Sequence, residues 1–214
     1  MLKIYTKGER VLRVEATVHN AKKEFRRYGL AYFDELANAL RQMVIRFLEV
    51  LRSVDGCWVT DETLDQLPEP SQVGASRLAG VDLNRARIRA VMQAVLLLSV
   101  DARGFRVEQL AGVVGEILSE SYTSRQASYD LKKLRGKGLV DKLSGTRRYL
   151  APADGLRTMV SVALLRERVI KPILSGTVGR PRGRPEKNQD PLNKHYHAIR
   201  DAMEQLFHEL GLAA

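Results

Sequence analysis

The sequence predicts a mainly α-helical protein with a small β component, and three observations support this fold class. Apolar residues recur at the three- and four-residue spacing of amphipathic helices along much of the chain. Alternation of apolar and polar residues, which indicates strands, is confined to short segments. Hydrophobic residues make up 44% of the chain and aromatic residues only 6%, so we expect a core of Leu, Val and Ala.

Length and charge limit the kind of protein this is. The 214 residues suggest one or two domains, and the formal net charge of +10 favours a polyanionic partner. Nucleic acid is favoured over an anionic membrane, because the basic residues do not lie on a single amphipathic helix. A single cysteine, Cys57, excludes an intrachain disulfide, so the reducing cytosol is the expected compartment. We expect no signal peptide and no membrane helix.

Residues 1–54 predict an N-terminal module of a β-hairpin and a long helix. The strands are Leu2–Thr6 and Val11–His19, and the second alternates between apolar and polar residues. The helix, Phe33–Val54, carries a continuous apolar stripe. Residues 55–81 contain two prolines and several glycines, which predict a linker with one helical turn.

Residues 82–174 predict a domain of helices and a hairpin. The first helix is capped by Asp82 and ends near Ser99, and the second is Val107–Leu118. The apolar positions of the second helix are Leu110, Val113, Val114 and Ile117. Ser119–Tyr122 is the turn before a third helix. After the hairpin a further helix, Leu156–Ile170, is expected to stop at Pro172.

The third helix has two chemically different faces. Thr123 is the expected N-cap and forms a capping box with Gln126. Its inward face is Ala127, Leu131 and Leu134, and its outward face is Arg125, Tyr129 and Lys132, flanked by Gln126, Ser128 and Lys133. Gly136 and Gly138 are expected to end the helix.

Two short strands, Leu139–Lys142 and Arg147–Ala151, follow around a tip at Leu143–Thr146. From Ser121 to Arg148 there are eight basic and two acidic residues, a local excess of +6. Helix, turn, helix and basic hairpin in this order predict a winged helix-turn-helix domain that binds DNA. The alternative is a solvated helix face beside an ordinary basic hairpin.

In this interpretation the third helix is the recognition helix and the hairpin is the wing. Arginine and glutamine suit paired hydrogen bonds to base edges, while lysine and serine suit phosphates. The expected DNA-binding residues of this domain are Thr123, Ser124, Arg125, Gln126, Ser128, Tyr129, Lys132, Lys133, Lys142, Arg147 and Arg148.

Residues 175–190 predict an extended basic linker, because their prolines and glycines disfavour helix and strand. Arg182, Gly183 and Arg184, with prolines on both sides, match the core of an AT-hook. Glycine allows the backbone to approach the minor-groove floor, and the arginines suit the narrow groove of A·T tracts. The alternative is a basic linker that contains this string by chance.

Residues 191–211 predict a last amphipathic helix that begins at Pro191. Its apolar residues step by four and three along a heptad seam: Leu192, Tyr196, Ile199, Met203, Leu206 and Leu210. The seam indicates either a homodimer or docking on the folded body of the protein.

We expect no catalytic residue, cofactor or metal, and therefore not an enzyme. The sequence contains no CxxC, HExxH or phosphate-loop motif. His195 and His197 resemble a His-hydrophobic-His metal motif, but a helix places them about 200° apart. Surface histidines are the favoured interpretation.

The sequence also resembles a family. The resemblance lies in the hairpin KIYTKGERVLRVEAT, the segment YTSRQASYDLKKLRGKGLV and the downstream GTRRY. Over most of the chain these are similar to the C-terminal part of a widespread group of uncharacterised bacterial winged helix-turn-helix proteins, many of them mobile-element-like. Members continue upstream of the hairpin, so the resemblance implies a truncated form lacking another domain.

The sequence thus leads to three functional hypotheses. The first is a sequence-specific DNA-binding protein, a transcriptional regulator located in the cytoplasm with the nucleoid. The second is an accessory protein that binds the DNA ends or the origin of a mobile element or replicon. The third is a protein-interaction module, in which the winged helix and the heptad helix are docking surfaces.

Overall fold

The computed structural model describes residues 2–8, 11–18, 33–55, 59–173 and 191–210. The chain divides into two compact units, Met1–Ser161 and Val162–Ala214. The described residues are mainly helical, with three small antiparallel hairpins. This composition confirms the predicted fold class, while the assignment to the winged-helix class stays a prediction.

The first unit begins with the predicted hairpin and long helix. Strands β1 (Leu2–Lys7) and β2 (Val11–Ala16) are antiparallel, with Leu2 opposite Ala16. Helix α1 (Phe33–Asp55) contacts β2 and ends one residue later than expected. Arg46 ties α1 to the rest of the unit, because its guanidinium donates to the carbonyl of Ser99 at 3.2 Å and to that of Ala151 at 2.7 Å.

The segment predicted as a linker contains more structure than one helical turn. It forms helix α2 (Asp61–Gln66) and a second hairpin of strands β3 (Ser71–Val73) and β4 (Ser76–Leu78). Leu67, Leu78 and Val81 are buried. Three-residue strands are too short to show an alternating pattern, so no sequence pattern indicates this hairpin.

The centre of the unit is a group of three helices and a third hairpin. These are α3 (Ala86–Leu98), α4 (Val107–Leu118), α5 (Ser124–Gly136), β5 (Asp141–Lys142) and β6 (Tyr149–Leu150). Helix α4 packs against both α3 and α5. Phe105 pairs with Tyr149 through two backbone hydrogen bonds of 2.9 and 2.8 Å, which fastens the segment before α4 to the hairpin.

Three details of these helices differ from expectation. Asp82 does not cap α3: it accepts hydrogen bonds from Asn84 and Arg85, and α3 begins only at Ala86. Leu98, expected on the inward face of α3, is half-buried, and Ile117, expected in the core, is 38% exposed. Periodicity gives the direction of a side chain, but it does not show whether a neighbouring element covers the last turn of a helix.

The next helix starts earlier and ends later than predicted. Helix α6 (Ala153–Leu164) is followed by a π-helical segment, Leu165–Ile170, and residues 171–173 are again helical. The expected stop at Pro172 was therefore wrong. The fixed φ of proline fits a helix, and the π-helical segment directly before it departs from the hydrogen-bond pattern that proline disrupts. In the second unit, helix α7 (Pro191–Glu209) begins at Pro191 as predicted.

The two glycines expected to end α5 have different roles. Gly138 terminates the helix with a φ of +67°, and the Leu139 amide donates to the Leu134 carbonyl at 3.0 Å, as in a Schellman motif. Gly136 is the last helical residue and lies against β3. A Cβ atom on Gly136 would lie 2.1 Å from Oγ and 2.9 Å from Cβ of Ser71.

We therefore expect Gly136→Ala to lower the free energy of unfolding by about 1–3 kcal/mol, the usual cost of overpacking. The matched control is Gly112→Ala within α4, where a new Cβ meets nothing within 4 Å. That substitution should raise the free energy of unfolding by about 0.5–1 kcal/mol, because alanine suits a helix better than glycine. Urea unfolding followed by circular dichroism measures the free energy of unfolding of both variants. Equal changes in the two variants would contradict the packing of β3 on α5.

Candidate nucleic-acid interface

Helix α5 begins with the predicted capping box. The backbone N–H of Gln126 donates to Oγ1 of Thr123 at 3.3 Å. In return, the side-chain oxygen Oε1 of Gln126 accepts from the backbone N–H of Thr123 at 2.8 Å. The same Oε1 also accepts from the Thr123 hydroxyl at 3.0 Å. Paired hydrogen bonds to an adenine require this oxygen. The side chain of Gln126 therefore caps the helix. To contact a base through both its oxygen and its nitrogen, it would have to break its hydrogen bonds to Thr123.

The two faces of α5 are arranged as the sequence predicts. Ala127, Leu131 and Leu134 are completely buried. On the opposite side Arg125 and Lys132 are exposed, and Tyr129 is 44% exposed. Thr123 and Ser124 are exposed at the start of the helix, and Ser128 is half-buried. Core packing thus fixes which side chains face solvent: two cations and a phenol on adjacent helical turns.

Lys133 does not lie on the exposed face where it was expected. Only 8% of the residue is exposed, and its ammonium lies 5.0 Å from the centre of the Tyr129 ring, within cation–π range. Lys133 lies on the flank of the helix, between the buried and the exposed face. The helical period does not show whether a side chain there is buried, because that depends on tertiary packing. Its charge helps to position Tyr129 and is not presented to a ligand directly.

A buried carboxylate fixes α5 on the side away from its exposed face. Asp130 is 1% exposed, and one of its oxygens, Oδ2, accepts from Nε of Arg87 and from the Tyr122 hydroxyl, both at 2.7 Å. The Arg87 guanidinium also lies 5.5 Å from the centre of the Tyr122 ring. This cluster connects α3, the turn before α5 and α5 itself. In the sequence Asp130 stands out only as one acidic residue among basic ones, because no local pattern brings residues 87, 122 and 130 together.

The cluster shifts the proton equilibria of its members. Burial, and then the hydrogen bond to Asp130, raise the pKa of Tyr122 well above its ordinary value. Burial alone would lower the pKa of Arg87, but the hydrogen bond and the charge of Asp130 outweigh it, so the pKa is raised. At neutral pH, Tyr122 therefore donates to Asp130 and Arg87 remains charged.

The hairpin β5–β6 carries the predicted basic residues, although its strands are two residues long and thus shorter than expected. The Leu143 amide donates to the Arg148 carbonyl at 2.9 Å and closes the tip. Lys142 and Arg147 are exposed. Arg148 is half-buried, and its guanidinium donates to the carbonyl of Gly104. Arg148 therefore braces the hairpin, and Lys142 and Arg147 are the cations that it presents.

A groove of about 630 Å³ lies between this hairpin and the start of α4. The residues that line it are Arg106, Val107, Glu108, Lys142, Thr146, Arg147, Arg148 and Tyr149. Four of them are cationic and one is a carboxylate. The groove therefore suits an anion. Arg106 was not among the expected site residues, because it lies before α4 in sequence and meets the hairpin only through the pairing of Phe105 with Tyr149.

Arg182, Gly183 and Arg184 lie outside the described residues, so the AT-hook stays a prediction. Within the described ranges, no group of three or more His, Cys, Asp or Glu side chains is placed to hold a metal ion. No helix in that part of the chain is long and apolar enough to cross a membrane.

Comparisons with known proteins found no matching family model, no matching curated protein and no matching solved structure. The resemblance to bacterial winged helix-turn-helix proteins therefore stays a prediction.

The buried cluster leads to a first test. Asp130→Asn keeps the shape of the side chain but removes its charge, and it should lower the free energy of unfolding by roughly 1.5–3 kcal/mol, the range for hydrogen bonds to charged groups. Asp141→Asn, at an exposed aspartate in β5, is the control and should change stability little. Chemical denaturation of both variants measures the difference. Equal stability of the Asp130 variant and the wild type would contradict the structural role of the cluster.

The raised pKa of Tyr122 leads to a second test. In the unfolded chain this phenol ionises near pH 10, while the folded protein retains the proton to higher pH. The stability that Tyr122 contributes is therefore complete below about pH 10 and is lost as the pH rises further. We expect the stability difference between the wild type and Tyr122→Phe to be constant from about pH 8 to about pH 10 and smaller at about pH 11. Urea titrations at several pH values measure it, and a difference that does not vary with pH would be the contrary result.

Proposed function

We propose that the chain binds double-stranded DNA, with the exposed face of α5 in the major groove. The observation that carries this proposal is the position of Arg125, Tyr129 and Lys132 on a helix whose opposite face is completely buried. That helix follows α4 and a short turn and precedes a basic hairpin, which is the element order of a winged helix-turn-helix domain. Arginine is the side chain that most often makes paired hydrogen bonds to guanine.

The groove beside the hairpin supports a second contact region. Lys142 and Arg147 are exposed on the hairpin, and Arg106 lines the groove from the side of α4. Backbone phosphates are the anions that such cations meet on a duplex, and phosphate contacts fix orientation without specifying sequence. In this proposal α5 contacts the bases, and the groove holds one phosphodiester strand.

The rigidity of α5 supports the same function. The helix is fixed by the Asp130 cluster behind it, the capping box at its start and β3 against Gly136 at its end. A helix that is already positioned loses little conformational entropy when it binds. Sequence-specific binding by such a helix suits a transcriptional regulator, and Arg182 and Arg184 would add affinity for A·T-rich DNA through the minor groove.

The experiment is selection from random duplexes, followed by fluorescence anisotropy of the selected sequence at several salt concentrations. Arg125→Ala should cost roughly 1–3 kcal/mol in binding and relax the preference at one base position. Lys142→Ala should weaken binding to all sequences and reduce the salt slope by about one.

The control is Arg157→Ala, an exposed arginine on α6 whose side chain is 58% exposed. It should leave both affinity and sequence preference unchanged. Weak binding that is indifferent to sequence and salt would reject the proposal and favour a protein-interaction module instead.

A further inference from the structure

One large aromatic side chain lies on the exposed face of α5. Tyr129 is 44% exposed, and its neighbours on that face, Arg125 and Lys132, are cations. The remaining apolar side chains of the helix are completely buried: Ala127, Leu131 and Leu134. The cations can donate to phosphates and base edges, whereas the carbon atoms of the Tyr129 ring need an apolar partner when binding removes water from them.

The ring of Tyr129 is held in place by a buried cation. Lys133 is 8% exposed, and its ammonium lies over the ring, 5.0 Å from the ring centre. A cation–π contact is stronger when the cation is removed from water. The ammonium covers one face of the ring, so a ligand can contact only the other face or the edge. Because the ring is already positioned, it loses little conformational entropy when α5 binds.

The major groove offers such a ring one apolar group. Adenine, guanine and cytosine present hydrogen-bond donors and acceptors there, whereas thymine also carries a 5-methyl group. A ring placed against donors and acceptors would separate them from water without replacing the lost hydrogen bonds. A ring placed against the methyl group removes apolar surface from water on both sides. The 5-methyl group of a pyrimidine is therefore the partner that the Tyr129 ring fits.

The helical spacing relates this methyl group to the base that Arg125 contacts. Residues 125 and 129 are four positions apart, which corresponds to about 6 Å along the helix axis at ~1.5 Å per residue. Successive base pairs of a duplex are about 3.4 Å apart. Tyr129 therefore meets a base within about two base pairs of the one that Arg125 contacts.

We propose that Tyr129 contacts the 5-methyl group of a thymine in this window, and that Lys133 positions the ring for the contact. The contact rests on the proposed function, because it requires α5 to lie in the major groove. It adds to that function the chemical group that the centre of the helix selects. 5-Methylcytosine carries the same group, so the same position should accept it.

The first experiment uses the duplex that the full chain selects from random sequences, with affinity measured by fluorescence anisotropy. The selected motif should contain an A·T pair within about two base pairs of the position that Arg125→Ala relaxes. Uracil in place of each thymine in this window, one at a time, removes only a methyl group. At one position it should weaken binding of the wild type about fourfold, the effect of exposing one such group. With cytosine at that position, 5-methylation should strengthen binding by about the same factor.

Matched variants assign the methyl contact to the ring. Tyr129→Ala should bind the thymine and uracil duplexes equally, whereas Tyr129→Phe keeps the ring and should retain the ratio of the two affinities. Lys133→Met keeps an apolar chain of similar length without the charge, so it should lower this ratio while the protein stays folded by circular dichroism. Lys132→Ala is the control on the same face: it should weaken binding to both duplexes equally and leave the ratio unchanged.

Several results would overturn the methyl contact while sequence-specific binding persists. These are a selected motif without an A·T pair in the window, equal affinity of the wild type for methylated and unmethylated duplexes, and a ratio that Tyr129→Ala retains. A ratio lost in Tyr129→Phe would assign the discrimination to the hydroxyl and overturn the contact as well. An unchanged ratio in Lys133→Met would overturn the positioning role of Lys133.

The comparison of thymine with uracil uses the wild type, so it decides the question even if Tyr129→Ala does not fold. Absence of any sequence-specific binding would reject the proposed function, and the methyl contact with it. Specific binding with equal affinity for the thymine and uracil duplexes would reject the methyl contact alone.

Discussion

The first unit depends on one buried interaction: Arg87 and Tyr122 both donate hydrogen bonds to the carboxylate of Asp130. An ionised carboxylate in the protein interior costs several kcal/mol unless it is paired and hydrogen-bonded, so these three side chains stay together. They lie on α3, on the turn and on α5, and their contact fixes the direction in which α5 leaves the turn. The exposed face of Arg125, Tyr129 and Lys132 is therefore set by a contact on the opposite side of the helix.

Close backbone approach is the second constraint, and it acts at Gly136 and Gly155. A Cβ at Gly136 would overlap Ser71 of β3, and one at Gly155 would lie 2.5 Å from the Leu139 carbonyl oxygen. The first contact places the β3–β4 hairpin against the end of α5, and the second places α6 against the segment after α5. Together with the Asp130 cluster they hold α5 along its length, which limits the conformational entropy that binding would cost.

Some basic residues of this chain are exposed and others form contacts within the fold. The net charge does not distinguish these two groups. Of the eight counted between Ser121 and Arg148, Lys133 is buried beside Tyr129, Lys137 donates to the Gln66 carbonyl and Arg148 donates to Gly104. Their charges contribute to the field of the surface, but their side chains are engaged in the fold. Of the other five, Arg135 is half-buried, and Arg125, Lys132, Lys142 and Arg147 are exposed. The local excess of +6 therefore overstates the number of cations that are free to contact a phosphate.

Features with local causes could be predicted from the sequence alone: the capping box of Thr123 and Gln126, the buried stripe of α5, the proline start of α7 and the mainly helical class. Hydrogen bonds and side-chain directions within one helical turn depend only on neighbours three or four residues away. The tertiary structure alone decided the hairpin β3–β4, the burial of Lys133, the Asp130 cluster and the groove that adds Arg106. Each of these features depends on residues that are far apart in sequence and come into contact only when the helices and hairpins pack. No local sequence pattern predicts such a contact.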